Sequence, residues 1–178
     1  MPILLTEDLM LRQWRADDLA SLTALFADPG FSWYPYRRAR TPAEAADFVR
    51  RAQRHWDDRD IGVWAVADRA DSDLLGYAGV TGIDAGTWGA DWEIGLRLAP
   101  PARGRGLGAQ ALTAALADVF GRIDADQVIA TIEVGHTQSE RLFRRVGMQA
   151  SEQLPHPVFG TAHTVMRLTR QRWQQRAA

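Results

Sequence analysis

Cysteine is absent from this chain of 178 residues. That removes disulfides, thiolate nucleophiles and thiolate metal sites together. Lysine is absent as well, so all 21 basic residues are arginines. A Schiff base, a lysine general base and a phosphate-binding P-loop, whose motif needs a Lys, are excluded with it. Asparagine is also missing, and the all-arginine usage reads as GC-rich coding bias rather than as function. No apolar run approaches membrane-spanning length, and Met1 to Leu5 lacks the cationic start and long apolar stretch of a signal peptide. The expectation is a cytoplasmic protein without a membrane partner. A net charge of -1 argues against a general nucleic-acid binder, which is normally basic.

What is present suits one globular domain with a real core: 46% apolar and 24% charged residues over a length too short for two domains. LMLRQW (Leu9–Trp14) alternates like a strand, and Asp17-Asp18 precede a helical stretch that ends at Asp28-Pro29-Gly30. Thr41-Pro42-Ala43-Glu44 combines cap, proline and acid at the start of a helix reaching about Asp58. Three strand-like segments follow, Ile61–Asp68, Leu74–Ile83 and Asp91–Ala99. A helix is expected over about Gly104–Gly121, with Leu112, Leu116, Val119 and Phe120 on one apolar side. Gln127–Val134 reads as a strand and Thr137 to Val146 as a short helix. A Thr137/Glu140 capping box opens that helix, and Gly147 suits its left-handed end. Strands near Ala150–Leu154 and Thr161–Leu168 complete an α+β order, β-α-α-β-β-β-α-β-α-β-β.

The most chemical stretch is PPARGRGLGAQAL, Pro100 to Leu112, a glycine-dense turn that runs into a helix. Glycines let bare amides approach a ligand, and the helix N-terminus adds positive potential, so the turn suits a phosphate. Gly104-Arg105-Gly106-Leu107-Gly108-Ala109 also fits the dinucleotide fingerprint, with Glu133 near the ribose position. Its context is wrong for a doubly wound sheet, because Pro100 to Arg103 separate the turn from its strand. A third reading takes the glycines as loop-shaping alone, yet three alternate glycines between arginines exceed what a turn requires.

Arg103-x-x-Gly106-x-Gly108 matches the Arg/Gln-x-x-Gly-x-Gly/Ala pyrophosphate signature of the GNAT acyl-CoA N-acyltransferases. TEDLMLRQWRADD, DWEIGLRLAPPARGRGLGAQAL and HTQSERLFRRVGM together resemble the RimJ/RimL-type branch, from about Thr6 to Thr169. The resemblance implies a single GNAT domain over residues 1–178. Its fold would be α+β, a central mixed, mostly antiparallel sheet of about seven strands flanked by about four helices. It further implies acetyl-CoA as cofactor, no metal, and a small-molecule or peptide amine as acceptor. Dimerisation is common among such relatives, so a homodimer is compatible with it. A non-catalytic acyl-CoA-binding or sensing domain is the alternative.

The same resemblance distributes roles along the chain. Coenzyme A falls on Arg103, Gly104, Arg105, Gly106, Leu107, Gly108 and Ala109, with pantetheine along the backbone of Leu96, Arg97 and Leu98. His136 stands where the family pattern has Asn, as a hydrogen-bond partner of pantetheine, and Phe143 packs nearby or in the core. Glu93, a carboxylate interrupting an apolar strand, is the expected base, against a structural pairing with Arg97. Ser139 is the expected acid, against a small helix-start residue. Asp84 and Asp91 are weaker base candidates. Trp33, Tyr34, Tyr36 and Trp92, with Trp88, are expected to wall the acceptor pocket. Arg37, Arg38 and Arg40 form a cationic cluster beside them, either solvated or facing that pocket. With no cysteine to carry the acyl group, direct attack of the amine on the thioester is the simplest route.

Overall fold

Thr41 opens its helix as the sequence suggests, because its hydroxyl accepts from Glu44 N while Glu44 Oε2 accepts from Thr41 N at 2.8 Å. The structure, a computed structural model, describes residues 3–31 and 38–177. Its elements in chain order are β1 (Leu4–Leu5), β2 (Leu9–Arg12), α1 (Asp18–Ala27), α2 (Pro42–Arg59), β3 (Val63–Asp68) and β4 (Leu74–Gly82). Then come α3 (Ala85–Trp88), β5 (Trp92–Leu98), a 3-10 turn (Pro100–Ala102), α4 (Leu107–Arg122) and β6 (Gln127–Glu133). The chain finishes with α5 (Thr137–Arg145), β7 (Gln149–Pro155), β8 (Ala162–Thr169) and α6 (Arg170–Ala177). The strands run β1-β2-β3-β4-β5-β6-β8-β7 in one sheet of eight. Pairings β1–β2, β2–β3, β3–β4, β6–β8 and β7–β8 are antiparallel, and β5–β6 is parallel at Glu93↔Ile129. The expected α+β architecture with a mixed, mostly antiparallel sheet is therefore present.

Contacts group the chain into two compact units, residues 1–79 with 96–115, and residues 80–95 with 116–178. In the first, Trp14, Leu22, Phe26, Phe31, Val49 and Ala52 form the core beneath α1 and α2. A buried pair anchors α1 to β2: Arg12 grips Asp18 with two nitrogens, each at 2.7 Å, and Arg15 N adds a third bond to that carboxylate. Burial raises the Asp18 pKa, but the Arg12 fork and the Arg15 amide outweigh it, so the group stays below the ordinary carboxylate range. In the second unit, Trp88, Ala90, Ile129 and Val165 make a core cluster with Ile83 and Leu154 packed against it. Arg170, at the start of α6, donates to the carbonyls of Phe120 and Ala125, which ties that helix down through polar contacts.

Three elements go beyond the sequence expectation. β1 is two residues long, too short to show alternation. α3 is a single turn, capped by Asp84 accepting from Gly86 N and Thr87 N. α6 has no apolar stripe for a periodicity argument to find.

Candidate acetyl-CoA site and acceptor-side carboxylate

The glycine turn begins where β5 stops, at two prolines that cannot donate to a ladder. Gly104 and Gly106 have φ of 75° and 82°, a region that side-chain-bearing residues adopt only under strain. Among the described residues, no atom beyond the adjacent ones in the chain lies within 4 Å of the position a Cβ would take at either glycine, so they form a cradle that any side chain would fill. Ala109 N and Gln110 N donate to Gly106 O at 3.0 and 3.3 Å. Ahead of them, the amides of Gly104 to Gly108 have no protein acceptor among the described residues. Successive bare amides at a helix N-terminus are the donor set a pyrophosphate requires, and the residues present fit that group.

The two arginines of the turn do different things. Arg105 is exposed. Arg103 donates from Nε to Leu98 O at 2.9 Å and from a terminal nitrogen to Gly30 O at 2.8 Å. Burial first, then the charge of Arg97, holds its pKa below the usual arginine range. Arg103 thus braces the turn against β5 and the loop that follows α1. Its bond to Leu98 O also takes one of the carbonyls in the Leu96–Leu98 segment expected to face pantetheine. Arg97 O lies against Gly76 of β4, and Ala99 N bonds Leu75 O at 2.7 Å, so these groups face the neighbouring strand.

Glu93 sits on β5, half-buried, and does not pair as a structural partner of Arg97. Its Oε1 accepts from Thr131 Oγ1 at 2.5 Å and from Thr131 N at 3.2 Å. Burial pushes its pKa up, while the Thr131 bonds and the charge of His163 pull it back only in part. A carboxyl that is oriented by one neighbour and raised by desolvation is equipped to take up a proton. Thr131 is a partner the sequence does not advertise, since it lies 38 residues further along.

The start of α5 corrects the expected capping box. His136, not Thr137, is the cap, and its Nδ1 accepts from Ser139 N at 3.2 Å. Glu140 consequently turns elsewhere and accepts from Thr164 Oγ1 at 3.3 Å. The imidazole nitrogen thus fills the capping position that a hydroxyl or carboxamide oxygen ordinarily takes. With Nδ1 an acceptor, the neutral ring carries its proton on Nε2. Ser139 is half-buried in the first turn of α5, and Phe143 is buried one turn later. Gly147, at φ 100°, ends the helix in the left-handed conformation expected of it.

Of the expected acceptor wall, Trp33, Tyr34 and Tyr36 lie outside the described residues, as does Arg37. Trp92 is half-buried at the start of β5, and Trp88 is a core residue of the second unit. The rest of the cationic cluster has structural work. Arg38 forms a two-pronged pair with Glu44, and Arg40 is buried with its guanidinium 3.8 Å over the Phe26 ring. Asp84 is held below the ordinary range by the Thr87 hydroxyl and the amides it caps, and its two oxygens are engaged in that cap. Among the described residues, no helix is long and apolar enough to cross a membrane.

Residues 8–149 match the family model described as an acetyltransferase (GNAT) domain. Solved structures share the fold. A GNAT-family acetyltransferase of Bacillus anthracis superposes with a TM-score of 0.80 at 18% identity, covering 96% of this chain and 99% of that one. The RimL ribosomal-protein α-N-acetyltransferase, in complex with coenzyme A, gives 0.76 at 16% identity over 94% and 98% of the two chains. The spermidine/spermine N-acetyltransferase of Vibrio cholerae gives 0.73 at 16% identity over 97% and 100%. The chain belongs to the GNAT acetyltransferase family, as an N-acetyltransferase that uses acetyl-CoA.

Proposed function

We propose that this enzyme acetylates the α-amine of a peptide or amino-acid-like acceptor by direct transfer, as the RimJ/RimL-type resemblance implies, with residues 1–178 acting as one catalytic domain. The observation that carries this reading is Glu93, a desolvated carboxyl clamped by Thr131 on the strand that leads into the glycine turn. When bound, acetyl-CoA supplies the acetyl group as an activated thioester. The amides of Gly104 to Gly108 would hold its pyrophosphate, with Arg105 adding charge from the exposed side. Leu96 and Leu98 N would offer strand-edge hydrogen bonds to the pantetheine arm, and the family resemblance also assigns His136 and Phe143 to the cofactor.

On the amine side, Glu93 removes a proton. Thr131 occupies Oε1, so Oε2 is the oxygen that receives it. A backbone N–H of β5 polarises the carbonyl under attack. On the opposite side, Ser139 offers its hydroxyl as a hydrogen-bond donor to the leaving sulfur. Trp92 belongs to the acceptor wall on this reading, together with the segment carrying Trp33, Tyr34 and Tyr36. The enzyme is cytoplasmic on this reading, its partner being the amine rather than nucleic acid or membrane, and a homodimer is compatible with it.

An acceptor panel with acetyl-CoA tests the proposal. Time-dependent thiol release with short peptides or amino-acid amines is the expected result. Coenzyme A binding without release of thiol from acetyl-CoA in the presence of any amine would make the chain a sensing domain instead.

A further inference from the structure

Thr131 lies in the middle of β6, half-buried, and its hydroxyl and its amide turn to the same atom. Oγ1 stands 2.5 Å and N 3.2 Å from Glu93 Oε1. Among the described residues the register of β5 with β6 consists of one pair, Glu93↔Ile129. Two residues further along β6, the amide that would carry a parallel ladder onward is bonded to the Glu93 side chain instead. The carboxyl therefore sits where the two strands part, held there from β6.

An amide N–H can only donate, so Oε1 answers Thr131 N as an acceptor whether or not the carboxyl carries a proton. The hydroxyl approaches that same oxygen. Burial, the largest influence, disfavours the ionised carboxyl, and the two bonds from Thr131 favour it. Removing the hydroxyl would leave desolvation less opposed, and a carboxyl that already holds a proton cannot take another. Strand alternation puts Asp91 and Arg97 beside β5, Glu133 of β6, and His163 and Arg167 of β8 on the sheet face of Glu93. The charge of His163 favours the ionised form, and Arg167 is tied to Glu152 and to Trp88 O. On the other flank β4 carries no charged side chain, and its Tyr77 packs in the core of the first unit. All of these groups stay unchanged when only the Thr131 hydroxyl is altered.

We propose that Thr131 is a positioning residue for the reaction: hydroxyl and amide together hold Oε1, turn Oε2 to the incoming amine and keep the carboxyl open to a proton. The inference rests on the reading of Glu93 as base. In the step it serves, an ammonium N–H bond breaks, the proton passes to Oε2, and the electron pair stays on nitrogen for the attack. The Thr131 proton does not move, and Glu93 later releases its own to water.

Thr131→Val keeps the branched shape and the backbone N–H and removes the hydroxyl alone. The acid limb of its kcat/KM pH profile should move up by about one unit, or about tenfold in rate at a fixed pH on that limb. The amine's own titration is common to every variant and does not contribute to the shift. Away from the limb, kcat should fall while KM for acetyl-CoA holds, and Thr131→Ser should restore both the limb and kcat. Carboxyl NMR titration of glutamate-labelled protein, with the Glu93 signal assigned by its loss in Glu93→Gln, should show Glu93 titrating higher in Thr131→Val. An acid limb or a Glu93 titration that stays in place in the folded valine variant overturns the inference. So does a shift that Thr131→Ser fails to reverse, because the hydroxyl is then not its source. Wild-type turnover in Glu93→Gln is a different failure, which removes the base itself and the inference with it.

Discussion

Glu93 is costly to the fold for the same reason it is useful to the chemistry. Its pKa is raised above the unfolded value, chiefly by burial, so the folded state binds the proton more tightly than the unfolded chain does. The sign follows: below the ordinary glutamate pKa both states are protonated and nothing is lost, whereas above it ionisation works against folding. Glu93→Gln should therefore raise the melting temperature at neutral pH, and the gain should vanish as pH falls below the ordinary glutamate range. Its turnover should drop by about 10²–10⁴-fold, most at low pH where neutral amine is scarce, with coenzyme A affinity retained. A variant with wild-type pH–rate behaviour would remove Glu93 from the mechanism. Ser139→Ala should raise the barrier by less than about 3 kcal/mol if water can replace the hydroxyl. His136 acts through the backbone: His136→Ala should cost about 1 kcal/mol of stability through the lost cap, and His136→Asn should restore it. Equal melting temperatures for all three proteins would deny the cap any weight.

The glycine turn and its helix are one element with two demands, a left-handed backbone and open amides. Gly106→Val meets neither. The φ of 82° makes a β-branched side chain strained by about 1–2 kcal/mol, and that side chain would stand over the amides. The thermal shift given by coenzyme A should disappear in this variant, as it should in Gly108→Val, which loads the first turn of α4. Gly121→Ala is the matched control, since no non-local atom of the described residues lies within 4 Å of its Cβ position in α4. It should add about 0.5–1 kcal/mol of stability and leave the coenzyme A shift unchanged. An undiminished shift in folded Gly106→Val and Gly108→Val would displace the cofactor from the turn. At α1 the controlling feature is a buried ion pair. Asp18→Ala strands Arg12 and should cost about 3–5 kcal/mol. The depressed Asp18 pKa means its contribution is present above the ordinary aspartate pKa and fades as pH falls.

At the scale of the whole molecule, what the sequence could show was whatever lies close together along it. Thr41 and Glu44 are three residues apart, the glycine turn is contiguous, and both stand in the structure as read. The Thr131 clamp on Glu93, the Arg103 brace to Gly30 and the polar anchoring of α6 join distant positions without a periodic signal, and no local pattern could disclose them. The His136 cap was hidden for another reason, since Thr137 offered the commoner capping chemistry one residue later. Distance along the chain also decides what can be argued about the acceptor. A cationic cluster facing the acceptor pocket would be one ground for polyamines to be repelled, but Arg38 is bound to Glu44 and Arg40 is buried over Phe26. The remaining ground is the amine itself. An α-amine titrates at about 7.7–8.0 and a lysine-type amine at about 10.4, so at pH 7 the neutral form of the first is roughly 300-fold more abundant. A fold shared with both a ribosomal-protein α-N-acetyltransferase and a spermidine/spermine acetyltransferase does not choose between them, whereas this proton cost does. Short peptides with free α-amines should exceed spermidine in kcat/KM near pH 7, and the margin should narrow as pH rises and the polyamine loses its protons. The chain has no lysine, so its own side chains offer no competing primary amine, and acetyl groups should be absent from its side-chain nitrogens after prolonged incubation. Spermidine winning at pH 7 would mean that its charge is recognised rather than endured, and the α-amine assignment would fall.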